Sequence, residues 1–436
     1  MKPLIVISCP ADTFSGYGAR SRDIVLPIIK SGKYDVKIIP QRWGATPWGF
    51  LQDENPDHKA IKECFITQLQ KQPDVWIQIT VPNEFQPVGK FNIGVTAGIE
   101  TTICAPQWVE GVNRMNLTLV SSQHAKRVFE NSKFERRNQQ TQQVEGKIEL
   151  TAPVEVLFEG ANTDIYKKID KFNTEIKEVL DDIKEDFNYL FVGHWLQGEI
   201  GQDRKDVGML IKTFLETFKN KKARPGLILK TQSATPSIMD REEILDKIRK
   251  IEETIGGDLP SVYLVHGELT DEEINELYNH PKVKAHVSLT KGEGYGRPLL
   301  EASITGKPVI APGYSGHLDF LDPEMSILLP GQITQIHPSA VVQDMLIPES
   351  GWFTVDYKKA ADTLEDVYKN YKKYVDGAKK QSYRSRTEFS LEKMSEKLLD
   401  ILENKVPKKV ELKLPELKKI ELPKTKTNEG TTDKLS

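Results

Sequence analysis

The stretch SLTKGEGYGRPLLEASITGKPVIAPGYSG (288–316) carries two glutamates, Glu293 and Glu301, with seven residues between them. Gly292, Gly294, Tyr295 and Gly296 surround the first, and Pro298 stands between the pair. Proline suits the first turn of a helix, where its missing N–H would have no partner. The order therefore predicts a loop bearing Glu293 and a helix with Glu301 in its first turn. Glycines let backbone N–H groups come close to a ligand, and a helix start favours an anion such as a phosphate. Two carboxylates would repel that phosphate unless each accepts hydrogen bonds from hydroxyls of the same ligand. A phosphate flanked by two polyols describes a nucleotide-linked sugar, with Glu301 on the ribose diol and Glu293 on the transferable sugar. A glycine turn before an acidic helix start explains the same spacing without a ligand, because the helix dipole favours acids there.

The elements that must hold this stretch are readable on both sides of it. KVKAHVSLT (282–290) reads as a strand entering the loop, RPLLEASIT as the helix leaving it, and KPVIAP (307–312) as the next strand. Upstream, Thr270 and Glu273 form a capping box that opens the helix DEEINELYNH, which stops before Pro281. Further strands are expected in NYLFVGHW, GLILKT and VYLVHG, and in an earlier series of PLIVIS, DVKIIP, VWIQIT, NIGVTAG, LTLVSS and VEVLF. Strands alternating with helices predict parallel sheets covered by helices, whose ligands sit at the carboxyl ends of the strands. The polar segment 132–152 has no clear period and reads as an exposed loop.

Length and composition bound the rest. A chain of 436 residues exceeds one ordinary core and suggests two domains, with the boundary near residue 172. The net charge of -3 favours neither nucleic acid nor an anionic membrane overall. Cys9, Cys64 and Cys104 show no metal-type spacing, so a reduced, cytoplasmic protein is expected. MKPLIVISCP reads as a first strand rather than a signal segment, and no apolar run of about 18 residues predicts a membrane span. Residues 406–436 are Lys/Pro-rich without aromatics and are expected to be disordered.

KGEGYGRPLLEASITGKPVIAPGYSGHLDFL resembles the signature of the retaining GT-B glycosyltransferases of group 1, with its two glutamates at E-x7-E spacing. VEVLFEGANTDIYKK (154–168) is similar to the family's inter-domain segment, with Asn162 and Tyr166 in place of its usual Asp and Phe. FVGHWLQGEIGQDRKDVGMLIKTF resembles the segment that brings basic residues to the donor diphosphate, and LTLVSSQHAKRVFENS a strand and helix of the first domain. The resemblance implies an α/β GT-B fold of two facing Rossmann-like domains. Residues 1–171 would form the acceptor-side domain and 172–382 the nucleotide-sugar domain, with a helix over 383–405 crossing back. It implies a retaining transfer from a UDP- or GDP-type nucleotide sugar to an acceptor hydroxyl, without a cofactor.

Where the family usually has Arg after VG, this chain has His194, so the diphosphate clamp is expected at Arg204 and Lys205, with Arg297 as a further phosphate contact. A solvated charged turn is the plain alternative for DRKD. No Asp-x-Asp occurs, which points to fixed cations rather than a metal ion. At other strand ends, Lys230, Gly267 and Glu268 are candidates for the donor, as is Gly16 in FSGYGARSR. Glu100 and His124 are candidates on the acceptor side, each with an ordinary turn, cap or packing role as the alternative. Trp43 and Trp48 offer a sugar platform, with core packing the plainer reading. Competing functions are a phosphorylase or hydrolase on the same fold and a non-catalytic nucleotide-sugar or nucleic-acid binding module. Nine lysines against five acidic residues in 404–436 are too few for nucleic acid to be more than an acceptor, such as a hydroxymethylated base in DNA.

Overall fold

Runs rich in Val, Ile and Leu become the central strands of two parallel sheets, each buried on both faces. The computed structural model describes residues 2–407 apart from Gln139, Leu196, Gln197, Glu199 and Ala234. The expected disorder of the tail concerns residues that lie, beyond Pro407, outside the described ones.

The first sheet comprises β1 (Leu4–Cys9), β2 (Asp35–Pro40), β3 (Val75–Ile79), β4 (Phe91–Thr96), β5 (Leu117–Val120) and β8 (Val154–Val156), in the order β2-β1-β3-β4-β5-β8. Between β5 and β8, β6 (Phe134–Arg137) and β7 (Val144–Ile148) pair as an antiparallel hairpin. This corrects the loop expected over 132–152. The hairpin is mostly exposed on both faces, so its sequence carries no apolar alternation to reveal it.

The second sheet is built from β9 (Asn188–Val192), β10 (Gly226–Lys230), β11 (Val262–Val265), β12 (Val283–Val287), β13 (Val309–Pro312) and β14 (Ile327–Leu329). Its order, β11-β10-β9-β12-β13-β14, reverses at β9. Connections from β9 leave toward one side and those from β12 toward the other, opening a crevice at the carboxyl ends of these strands. The chain leaving β9 and the loop 288–296 after β12 both emerge there. A second antiparallel pair, β15 (Gly331–Gln335) and β16 (Gly351–Val355), forms an arm that reaches the first lobe. The Thr102 N–H donates to the Gly351 carbonyl at 2.8 Å, and the Gly351 N–H donates to Thr102 Oγ1 at 2.9 Å.

The chain passes between the lobes twice, side by side. Ala161 N–H donates to the Phe389 carbonyl at 3.0 Å, and Leu391 N–H donates to the Ala161 carbonyl at 2.7 Å. A side chain at Gly160 would lie 2.5 Å from the Leu391 Cα, so only glycine lets the two crossings touch. Ala161 and Tyr166 already pack in a core of the second sheet, with Leu190, Ile228 and Leu277. Residues 383–405 comprise the end of the helix Lys372–Glu388 and the whole of Leu391–Lys405. The first is held to the second lobe, where Ser382 donates to the Ile304 carbonyl at 2.6 Å. The second crosses back and buries Met394, Leu398 and Ile401 beside Ile24, Val25 and Ile28 of the first lobe.

Candidate active site

The loop after β12 runs straight into the seam between the lobes. Gly296 takes φ +98°, a left-handed conformation that glycine adopts without strain, and the helix Arg297–Ile304 starts behind it. Pro298 falls in the first turn, as its chemistry requires, whereas Glu301 is the fifth helical residue. The expectation of Glu301 in the first turn is thereby corrected: the left-handed turn at Gly296 lets the helix begin before the proline.

The glycines of this loop answer first to the facing lobe. A Cβ on Gly292 would meet the Glu100 carbonyl oxygen at 2.4 Å, and one on Gly294 the Ala97 carbonyl oxygen at 2.9 Å. Ser121 Oγ spans the seam, 2.8 Å from the Ala97 carbonyl and 3.0 Å from that of Gly294, and Ser122 Oγ donates to the latter at 2.6 Å. Tyr295 is buried behind the loop, its ring tilted against Phe320 at 5.0 Å.

Four charged side chains converge here. Lys205 Nζ lies 2.5 Å from Glu293 Oε1, and Arg204 Nη1 lies 3.6 Å from Glu293 Oε2. The same Arg204 nitrogen sits 2.9 Å from Glu100 Oε1 of the first lobe and donates to the Gly292 carbonyl at 3.2 Å. Burial alone would push the Glu293 carboxyl up, but Lys205 and Arg204 outweigh it and hold it at about 2. Its own N–H donates to Ser315 Oγ at 2.9 Å, which fixes the loop against the next crossover.

Glu301 sits in a second buried cluster. Arg297 Nε lies 3.5 Å from Glu301 Oε1, while Arg297 Nη1 lies 2.6 Å from Asp23 Oδ2 in the first-lobe helix Gly16–Ser31. Burial pushes the Glu301 carboxyl up to about 8, with Arg297 opposing the rise and Asp271 adding to it. Arg297, expected on a donor phosphate, is thus engaged by two carboxylates.

The remaining candidates fall around this centre. Lys230, at the end of β10, is buried and donates to the Gly267 carbonyl at 2.7 Å, and Gln232 donates to Glu268 at 2.6 Å. These four residues lie at or just beyond the ends of β10 and β11. His194 is exposed, with Nδ1 3.2 Å from the Ser233 carbonyl. His124 is buried and edge-on to Tyr314 at 5.0 Å; burial and Arg127 lower it to about 4, so it is neutral at pH 7. A Cβ on Gly16 would meet nothing within 4 Å, whereas one on Gly18 would meet the Thr13 carbonyl at 2.4 Å. The close packing at Gly18 serves the turn itself, while the space beside Gly16 is open. Trp43 stacks on Tyr17 at 3.9 Å and Trp48 is 45% exposed, so neither serves the core packing that sequence favoured.

Sequence reasoning placed Glu100 on the acceptor side and missed its pairing with Arg204. It also missed Asp23, Ser121 and Ser122, and the fully buried pair of Lys291 and Asp206 at 3.3 Å. A lysine directly before the glycine loop, Lys291 ahead of Gly292, was the available local signal. A groove of about 790 Å³ opens beyond that pair, between Met209 and the arm β15–β16. Its Tyr357 donates to Asp206 at 2.6 Å. Among the described residues no group of three or more His, Cys, Asp or Glu could hold a metal ion, and no helix is long and apolar enough to cross a membrane.

Solved structures of like architecture include sucrose-phosphate synthase from Thermosynechococcus elongatus, at 13% identity and a TM-score of 0.61, covering 92% of this chain and 98% of that one. A glycosyltransferase from Rickettsia africae matches at 13% identity and a TM-score of 0.59, over 93% and 98% of the two chains. HepE from Anabaena, in complex with UDP and glucose, matches at 13% identity and 0.58, over 92% and 99%. The chain therefore has the α/β GT-B fold of two facing Rossmann-like lobes. No protein-family model matches it, and comparison with curated protein sequences finds no match.

Proposed function

We propose that this chain is a glycosyltransferase that moves a sugar from a UDP- or GDP-type nucleotide sugar to an acceptor hydroxyl in the seam between its lobes. The observation that carries this reading is the buried Glu293 carboxylate, held ionised by Lys205 and Arg204 where the strand ends of one lobe meet the other. The HepE structure with UDP and glucose, on the same fold, supports a UDP-linked donor. In the transfer, the bond from the sugar C1 to the phosphate oxygen breaks and a bond from C1 to the acceptor oxygen forms. The diphosphate leaves with its electron pair, and its departing oxygen takes up the proton that the acceptor hydroxyl gives up. Glu293 orients the sugar through its hydroxyls, and Glu301 holds the ribose. Arg204, Lys205 and the helix start at 296–298 neutralise the leaving group, which makes the reaction independent of metal. Retention at C1 is part of the reading; the acceptor is a hydroxyl compound of open identity.

A thermal-shift screen of UDP- and GDP-sugars tests the donor, since a ligand at 100 times its Kd stabilises by about 2.7 kcal/mol. Mass spectrometry of candidate acceptors with the stabilising donor then reads transfer. No stabilisation by any nucleotide sugar would sink the proposal. EDTA should leave activity intact, and strict dependence on Mn²⁺ would overturn the fixed-cation clamp.

A further inference from the structure

The cations assigned to the donor diphosphate are already paired in this structure. Arg204 faces Glu100 at 2.9 Å and Lys205 faces Glu293 at 2.5 Å, so two cations meet two carboxylates and the quartet is neutral. The side chains of Arg204 and Glu100 are each 22% exposed, and those of Lys205 and Glu293 are 12% and 11% exposed. Charge interactions are strong at such depth, and a doubly charged diphosphate gains little from a neutral quartet. One carboxylate must leave for the clamp to attract its ligand. Glu293 is tied to the more buried lysine and its backbone to Ser315, both in its own lobe. Glu100 comes from the opposite lobe, and water reaches it.

We propose, resting on the donor reading above, that Glu100 is an internal stand-in for a donor phosphate. Its carboxylate occupies Arg204 in the empty enzyme and is displaced when the diphosphate arrives. Arg204 keeps its place during the exchange because it also donates to the Gly292 carbonyl, at 3.2 Å. The backbone of Glu100 stays put as well. Gly292 packs against its carbonyl with no room for a Cβ, and Thr102, two residues on, is hydrogen-bonded to Gly351 of the arm at 2.8 Å. The exchange is thus a rotation of one side chain, which leaves the remaining three groups with a net positive charge facing the ligand. Until then the arginine is neutralised, and the seam does not attract stray anions.

Isothermal titration of UDP and of GDP into the full chain and its Glu100→Gln variant tests this. The nucleotide that binds should bind E100Q about fivefold more tightly, the gain expected from removing one partly exposed charge. Glu100→Ala should move affinity the same way, which separates the lost charge from any effect of the new amide. Equal or weaker binding by both variants would overturn the stand-in role while leaving the donor reading in place. Failure of UDP and GDP to bind any of the three proteins would sink the donor reading, and the stand-in role with it.

Discussion

Glu293 and Glu301 lie on one loop and helix and are both buried, yet their carboxyls are driven in opposite directions. Glu293 is held at about 2 and Glu301 is pushed up to about 8. Desolvation acts on both in the same sense, so partners decide the outcome. Lys205 and Arg204 both reach Glu293, the first within 2.5 Å. Among the described residues the cation paired with Glu301 is Arg297, at 3.5 Å, and that guanidinium is shared with Asp23 at 2.6 Å. A buried acid with its own cations stays charged, whereas one with a shared cation takes up a proton. On the function proposed above, the ionised acid serves the transferred sugar and the protonated one the ribose.

The largest effect that would break this comparison is loss of Glu293. On the proposed function, which sets the group beside the reacting centre, Glu293→Ala should lower kcat by at least about 100-fold. It should also cost about 3 kcal/mol of stability, since Lys205 is left buried and unpaired. Chemical denaturation and a transfer assay read the two losses. Near-normal turnover would remove Glu293 from the chemistry.

The pH dependence of stability sharpens the contrast. The folded Glu293 carboxyl lies below its ordinary value, so its contribution is full above about pH 4.5 and is lost as pH falls toward 2. The folded Glu301 carboxyl lies above its ordinary value, so its contribution is full below about pH 4.5 and fades as pH rises toward 8. Stability differences between wild type and Glu293→Gln should therefore grow with rising pH in the acid range. Those between wild type and Glu301→Gln should shrink between pH 4.5 and 8, by on the order of a few kcal/mol. Parallel slopes for the two variants would show that the carboxyls share one environment.

The smallest effects concern glycines. Gly292→Ala would drive a methyl into the Glu100 carbonyl and should cost roughly 1–3 kcal/mol, as overpacking does. Gly16→Ala meets open space and should change stability by less than about 1 kcal/mol. Equal melting temperatures for the two variants would show that the seam is looser than its contacts indicate.

Both sheets were legible because parallel strands buried on two faces need unbroken apolar runs, as in the strands Leu4–Cys9 and Gly226–Lys230. The hairpin of β6 and β7 and the strand β15 escaped notice because their exposed residues follow no apolar pattern. In the site, the loop, the proline and the capping box at Thr270 could be read, since each is a local matter of backbone geometry. The partner of Arg297 could not: Asp23 is 274 residues away, on the face of a helix that gives no local sign of its neighbour.

The amino-acid sequence by itself determined that a buried strand would end in a glycine loop, that a helix would follow, and that two acids would stand along them. Chain stereochemistry and apolar patterning act over a few residues and need no knowledge of the fold. Which acid keeps its charge was decided only in the tertiary structure: the second lobe itself brings Lys205 and Arg204 to Glu293, whereas the meeting of the lobes sets Asp23 on Arg297 beside Glu301. Desolvation and Coulomb attraction depend on distance in space, and the groups that set them here are brought together from opposite ends of the chain.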